Sequence, residues 1–332
     1  MRNMRKQPIV AMAALALASS GALATETAST GSGQGYPARP IRLVVGSAPG
    51  GGNDFVARAM NQRFSEALGN QLVIDNRGGA GGLLASEIVA QASPDGYTLL
   101  QMFSNFVILP SLYKKLSFDV VKDFAPVGNF ASSPLILVVN PSLPANSVAQ
   151  LIELARSRKG KLNFAAPGVG SLGHLAGELF KSAAKIEMTH VPYKGGGPAI
   201  TALVANEVNL YFSTVPAAIT QVKAGRLRAL GVTSLTRSSV APEVPTIAES
   251  GLPNFNVVGW FGMFAPARTP PAVVKALNAG ANKTLGLQEV RARFLSEGVE
   301  AVGGTPEAFA SLVRQDVKKW NAVAAQAGIK PE

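Results

Sequence analysis

Short apolar runs alternate with amphipathic segments along this chain, and glycine-rich stretches separate them. Ile41-Arg42-Leu43-Val44-Val45 has the apolar density of a buried strand. It ends at Gly46-Ser47-Ala48-Pro49-Gly50-Gly51-Gly52, after which Asn53-Asp54 opens a predicted helix through Leu68. A strand at 72–75, a glycine turn at 78–82, a helix at 83–91 and a strand at 97–100 follow. A second series repeats the plan: helix 147–158, strand 161–165, glycine loop 167–170, helix 171–184, strand 188–191, helix 197–205 and strand 228–233. Strands alternating with helices predict a parallel sheet with helices on its faces. Two longer apolar runs, 135–139 and 257–264, bracket the second series and suggest two crossovers between lobes. Helices over 270–327 are then expected to return to the first lobe.

The N-terminus changes the picture of where the chain works. Met1-Arg2-Asn3-Met4-Arg5-Lys6 is basic, residues 9–18 are apolar, and small residues lead to Ala22-Leu23-Ala24. This is the pattern of a secretory signal peptide, cleaved after Ala24, with an apolar stretch too short to span a bilayer. Residues 1–24 are therefore read as the signal, 25–35 as a polar flexible leader, and the folded part begins at Tyr36. The mature chain is expected to be soluble and exported. Removing Arg2, Arg5 and Lys6 leaves 28 basic residues (31 less 3) against 20 acidic ones, a formal charge of +8. With no basic run and no nucleic-acid motif, that excess points to small anions and away from nucleic acid.

Composition narrows the chemistry. A chain of 332 residues, 47% of them hydrophobic, exceeds one typical compact domain. With 0 Cys and 2 His there is no thiolate metal site, iron–sulfur cluster, cysteine nucleophile or disulfide scaffold, and a histidine metal centre is disfavoured. His174 lies three residues after Ser171 with no acid evidently placed to orient it, and the G-x-S-x-G elbow is absent. A hydrolase reading is therefore weak, and no cofactor is expected. His190, inside a strand, reads as a core residue.

The glycine loops are where chemistry remains. Gly168-Val169-Gly170-Ser171-Leu172-Gly173 matches G-x-G-x-x-G between a strand and a helix, but no acid ends the next strand, which closes on Val191-Pro192-Tyr193. Residues 46–52 lack the Lys-Ser/Thr ending of a P-loop. Both loops still present backbone N–H groups and a favourable dipole at a helix N-terminus. Ser47, Asn53 and Ser171 add neutral donors, and neither loop contains Lys or Arg, a combination suited to a carboxylate. Asp54 either caps its helix or takes amides of its own loop. A bulky residue at Gly170 is expected to weaken binding with little loss of fold.

The sequence resembles the tripartite tricarboxylate transporter solute receptors, the Bug family. The resemblance rests on Tyr36-Pro37-Ala38-Arg39-Pro40-Ile41, Pro49-Gly50-Gly51 with Asp54 and Arg58, and Asp75-Asn76-Arg77-Gly78-Gly79-Ala80-Gly81-Gly82. Ser93-Pro94-Asp95-Gly96-Tyr97, Gly170-Ser171 with His174, Val191-Pro192-Tyr193-Lys194-Gly195, Val244-Pro245-Thr246 and Trp260 continue it to Gly328. Two positions depart from the family: Ala48, where a Pro is common, and Asn209, where an Asp is common. Both are expected near the cleft. The resemblance implies a periplasmic binding protein of type II, with two α/β lobes joined by two crossover segments and a ligand cleft between them. Lobe 1 would comprise 36–132 and 255–332, and lobe 2 residues 133–254. It implies a monomeric receptor that delivers a small carboxylate to membrane permease subunits; a ligand-presenting sensor is the alternative, and an enzyme is disfavoured. The ligand set expected from loops and strand ends is Ser47, Ala48, Gly50, Gly51, Asn53, Asp54 and Phe55; Ser104, Asn105 and Phe106; Gly168, Gly170, Ser171 and His174; Lys194 and Gly195; and Phe212 and Ser213. Phe55, Phe103, Phe106 and Phe212 near strand ends favour an aromatic carboxylate such as terephthalate over an aliphatic di- or tricarboxylate.

Overall fold

The computed structural model describes residues 35–193 and 195–331, with Pro216 described by its backbone alone. The expected signal peptide and the leader up to residue 34 lie outside the described residues, as does Lys194. Residues 36–332 form one compact unit.

The first glycine loop follows β1 (Ile41–Val45) and leads into α1 (Gly52–Leu68). Then come β2 (Leu72–Asn76), α2 (Leu83–Ala90) and β3 (Thr98–Phe103). A short 3-10 turn over Ser104–Ile108 and the single-turn helix α3 (Leu109–Leu112) lead to β4 (Phe124–Val139). The second series comprises α4 (Val148–Ser157), β5 (Asn163–Ala166), α5 (Leu172–Ala184), β6 (Thr189–Pro192), α6 (Gly196–Val204), β7 (Leu210–Thr214), α7 (Val215–Lys223) and β8 (Arg228–Val232). After it, β9 (Val258–Pro266), α8 (Pro271–Leu285), α9 (Gln288–Ser296), β10 (Glu300–Ala301) and α10 (Pro306–Gln326) complete the chain. Predicted and observed elements agree closely where caps are strong. Ser147 and Ser171 each accept an N–H three residues on, ending the preceding loop and starting α4 and α5.

The sheet order is β2-β1-β3-β9-β4-β7-β5-β6, with β8 and β10 also paired to β4. The expected parallel sheet is found among neighbouring strands within each half, and the crossover strands add antiparallel pairs to it. In the first half β1, β2 and β3 are parallel, but β9 runs antiparallel to both β3 and β4. In the second half β5, β6 and β7 are parallel, and β4 runs antiparallel to β7 and β8. The cause is the crossover itself: each half receives one strand arriving from the other, and that strand runs against its hosts. The 16-residue β4 belongs to both halves, pairing β9 through Phe124–Pro134 and β7 and β8 through Leu135–Val139.

Apolar burial follows the same division. One cluster, with Ile41, Leu43, Phe64 and Phe294, lies under the first half, and another, with Ile136, Ala165 and Tyr211, under the second. A third covers the opposite face of both halves, from Phe106 and Phe264 to Phe164 and Phe212, and takes in Phe309, Val313 and Trp320 of α10. Helices α8 and α9 pack on α1, whereas α10 touches α3 in the first half and α5 in the second. This continuous core is the physical reason a chain with two sheet halves forms one compact unit.

Candidate ligand cleft

Both glycine loops open at the carboxyl ends of their strands into one cavity of about 1120 Å³. Open α/β sheets hold ligands at such strand ends. In the first loop Gly51 is the N-cap of α1 and has no side chain to offer, so the amides of Gly52 and Asn53 are left without a partner among the described residues. The Ser47 hydroxyl and the Asn53 side-chain oxygen are also buried without a partner. Asp54, 3% exposed, does not cap its helix. Its carboxylate accepts the Gly50 N–H at 2.8 Å and the Arg58 Nε–H at 2.8 and 2.9 Å, so it shapes the loop from inside. Burial alone would raise its pKa. The bonds from Arg58, Gly50 and Asn76 outweigh burial and hold it below the ordinary carboxylate value. Gly78 lets the neighbouring turn press on this loop, since a Cβ there would lie 2.6 Å from the Ala48 nitrogen.

The second loop is held by neutral groups. Ser171 Oγ accepts the His174 N–H and donates to the Gly168 carbonyl at 2.8 Å. The Gly170 N–H donates to His174 Nδ1 at 3.1 Å. The amides of Leu172 and Gly173, at the first turn of α5, have no partner among the described residues, and both residues line the cavity. Gly170 has a left-handed φ of 71°, and a Cβ there would lie 2.4 Å from Leu112 of the opposite half. The expectation that a bulky residue at Gly170 costs little of the fold is therefore corrected: it meets both backbone strain and Leu112.

Of the residues expected at the site, Ser47, Gly50, Gly51, Asn53, Asp54, Phe55, Asn105, Gly170, Ser171 and Phe212 line this cavity. Others do not. Ala48 is exposed and turned out of the cavity lining, its carbonyl taken by the Gly51 N–H. Ser104 and Phe106 are both fully buried, because the chain turns into a 3-10 helix after Phe103. Phe106 packs against Phe118, Phe124 and Phe264, so it offers no face to a ligand. Ser213 is fully buried and turned back on its own chain, where its hydroxyl donates to the Thr214 carbonyl. Thr214 lines the cavity in its place. Gly168 and Gly195 lie outside the lining, Gly168 serving as acceptor for Ser171 and Gly195 as N-cap of α6. His174 stands behind its loop, 5% exposed. Asn209 lies at the far ends of the strands, where it and Asn163 exchange bonds of 2.9 and 2.8 Å, so its departure does not touch the cleft.

Against known proteins, the model of the tripartite tricarboxylate transporter family receptor matches residues 56–329. The chain belongs to this receptor family. It is 41% identical over 302 residues to the UPF0065 protein in the tcbD-tcbE intergenic region of Pseudomonas sp. strain P51, covering 90% of each chain. It is 34% identical to the protein BugT of Bordetella pertussis, covering 97% of this chain and 98% of that one. Among solved structures, R. palustris Rpa4515 with adipate superposes with a TM-score of 0.79 at 37% identity, over 90% of this chain and all of the other. The family is one of transport receptors and not of enzymes, and the fold is that of a type II binding protein. No helix among the described residues is long and apolar enough to cross a membrane, and no cluster of three His, Asp or Glu there could hold a metal.

Several cavity residues of the receptor escape sequence reasoning. Phe261 of β9 lines the cavity and lies 4.8 Å, centroid to centroid, from Phe103, so two rings from neighbouring strands form one wall. Tyr211 lines it too, its hydroxyl pushed up to about 12 by burial and so protonated at any ordinary pH. Arg58, Arg293 and Glu297 place charge on the lining. Arg58 carries a legible signal, its i,i+4 spacing from Asp54. Arg293 and Glu297 carry none, because they reach the cleft only when α9 folds back onto the first half.

Proposed function

We propose that this protein is a periplasmic receptor that captures a small aromatic carboxylate between its two halves and delivers it to the permease subunits of a tripartite transporter. The observation that carries this reading is the convergence of two helix N-termini, with open amides at Gly52, Asn53, Leu172 and Gly173, on one cavity. Such amides favour an anion without clamping it, which suits a ligand that must be released. Asp54 is neutralised locally by Arg58 and does not oppose an incoming carboxylate.

An aromatic ligand is supported by Phe55, Phe103, Phe212 and Phe261 on the lining. Ring pairs add about 0.5–1.5 kcal/mol beyond area burial. Terephthalate is the first ligand to test, with Asn105 and Thr214 available to its far end. Adipate in the 37% identical structure favours a second reading, an aliphatic dicarboxylate. Calorimetry with terephthalate, benzoate, succinate, adipate and citrate separates the two: tighter binding of any aliphatic acid than of either aromatic one overturns the aromatic assignment.

Residues 36–132 with 255–332, and residues 133–254, act in this reading as two lobes that close on the ligand as a monomer. Hinge closure of this kind should lower the radius of gyration in small-angle scattering at ligand saturation. Export follows from cleavage after Ala24, which N-terminal sequencing of periplasmic material would test.

A further inference from the structure

The two histidines of the chain come from different elements, α5 and β6, and stack on one another. Their ring centroids are 3.8 Å apart with planes 19° from parallel, and Phe164 of β5 flanks both. His174 does not line the cavity, yet its Nδ1 takes the Gly170 N–H at 3.1 Å. A backbone N–H can only donate, so Nδ1 must carry a lone pair and the neutral ring must hold its proton on Nε2. Gly170 sits in the left-handed region immediately before Ser171, the cap of α5. Its amide orientation therefore sets how the first turn of α5 meets the cleft.

We propose that His174 is a positioning residue of the ligand loop, whose unprotonated Nδ1 holds the Gly170 amide and so keeps the Leu172 and Gly173 amides presented to the cavity. The loop assignment stands on geometry alone; its effect on affinity rests on the carboxylate-receptor reading above. Protonation at Nδ1 would set N–H against N–H and release Gly170. The charged and titratable groups facing His174 are His190 on β6, and Glu178 and Lys181 on α5. Glu178 lies 3.9 Å from Nε2, but it is already paired to Lys181 at 2.8 Å and offers the ring little net negative charge. Burial, then His190 and Lys181, push the His174 pKa down to about 3. The acceptor is thus preserved throughout the neutral range.

The test uses the mature chain and two readouts. Nitrogen-15 correlation spectra of the imidazoles should show His174 with a bare Nδ1 and a protonated Nε2 from pH 8 to pH 5, with the Gly170 amide slow to exchange. H174N puts its side-chain oxygen where Nδ1 stood and should keep that protection. H174F keeps a ring without an acceptor and should lose protection at least tenfold; if it does not fold, H174Q, which reaches the Nε2 position, serves instead. A protonated Nδ1, or Gly170 protection unchanged in H174F or in H174Q where that variant replaces it, overturns the proposal. In calorimetry with terephthalate and adipate, H174F should bind the better probe about tenfold more weakly than H174N, and equal affinities would refute the positioning role. If the wild type binds neither probe, the carboxylate reading fails, while the exchange measurement still decides the loop assignment.

Discussion

The two glycine loops share a plan and differ in what holds them. Each follows a parallel strand, opens a helix and leaves two amides free at the cleft. The first is braced by an ion pair, Asp54 with Arg58, and by a carboxylate on the Gly50 amide. The second is braced by a hydroxyl and an imidazole, with no formal charge. A helix N-terminus can therefore be fixed at a cleft by either chemistry, and in both loops the brace leaves no uncompensated negative charge beside the open amides. The two braces should respond differently to acid and to mutation.

Acid should separate the loops most strongly. His174 and His190 have folded pKa values lowered to about 3 and about 4 from 6.5, chiefly by burial. Below pH 6.5 the unfolded chain takes up protons that the native histidines refuse, so their contribution to stability is full above 6.5 and is lost as pH falls towards 4 and 3. Asp54 is held below the ordinary carboxylate pKa in the folded chain, so its contribution is lost only as pH falls below about 4. Urea unfolding between pH 7.5 and 4.5 should show declining stability in the wild type and a flatter profile in H174N/H190F. Equal slopes in the two proteins would remove the histidine pair from the account.

Asp54→Ala comes next in size. It removes the charged acceptor of the exposed Gly50 amide and leaves Arg58 without its carboxylate, at a cost of about 1–3 kcal/mol in unfolding free energy. Ligand affinity should fall at least tenfold, because the loop loses the group that shapes it. Unchanged affinity would make Asp54 a matter of stability alone. Gly170→Ala should cost about 1–2 kcal/mol for the left-handed backbone, plus a steric share from Leu112. Adding L112A should recover only the steric share, and full recovery would show that the backbone is not strained. Ser171→Ala, which removes a cap, should cost about 1 kcal/mol by thermal or urea unfolding. A cost well above that would mean that the Ser171 hydroxyl does more than cap.

The local sequence determined most of the elements that carry the site. Ser171 as a cap, the glycine loops at strand ends, and Asn53-Asp54 at a helix start are set by interactions within a few residues, and they were legible for that reason. The crossovers were legible as apolar runs, since a strand buried on both faces needs no polar alternation. The tertiary structure alone decided which side chains reach the cleft. Phe106 and Phe103 are three residues apart, yet one is sealed under the sheet and the other walls the cleft, because the turn between them rotates the chain. Phe261, Arg293 and Glu297 arrive from the returning C-terminal segment, some two hundred residues beyond the first loop. The same holds for the His174–His190 stack and for Leu112 against Gly170. Such contacts depend on how separate elements pack, and no spacing along one chain encodes them.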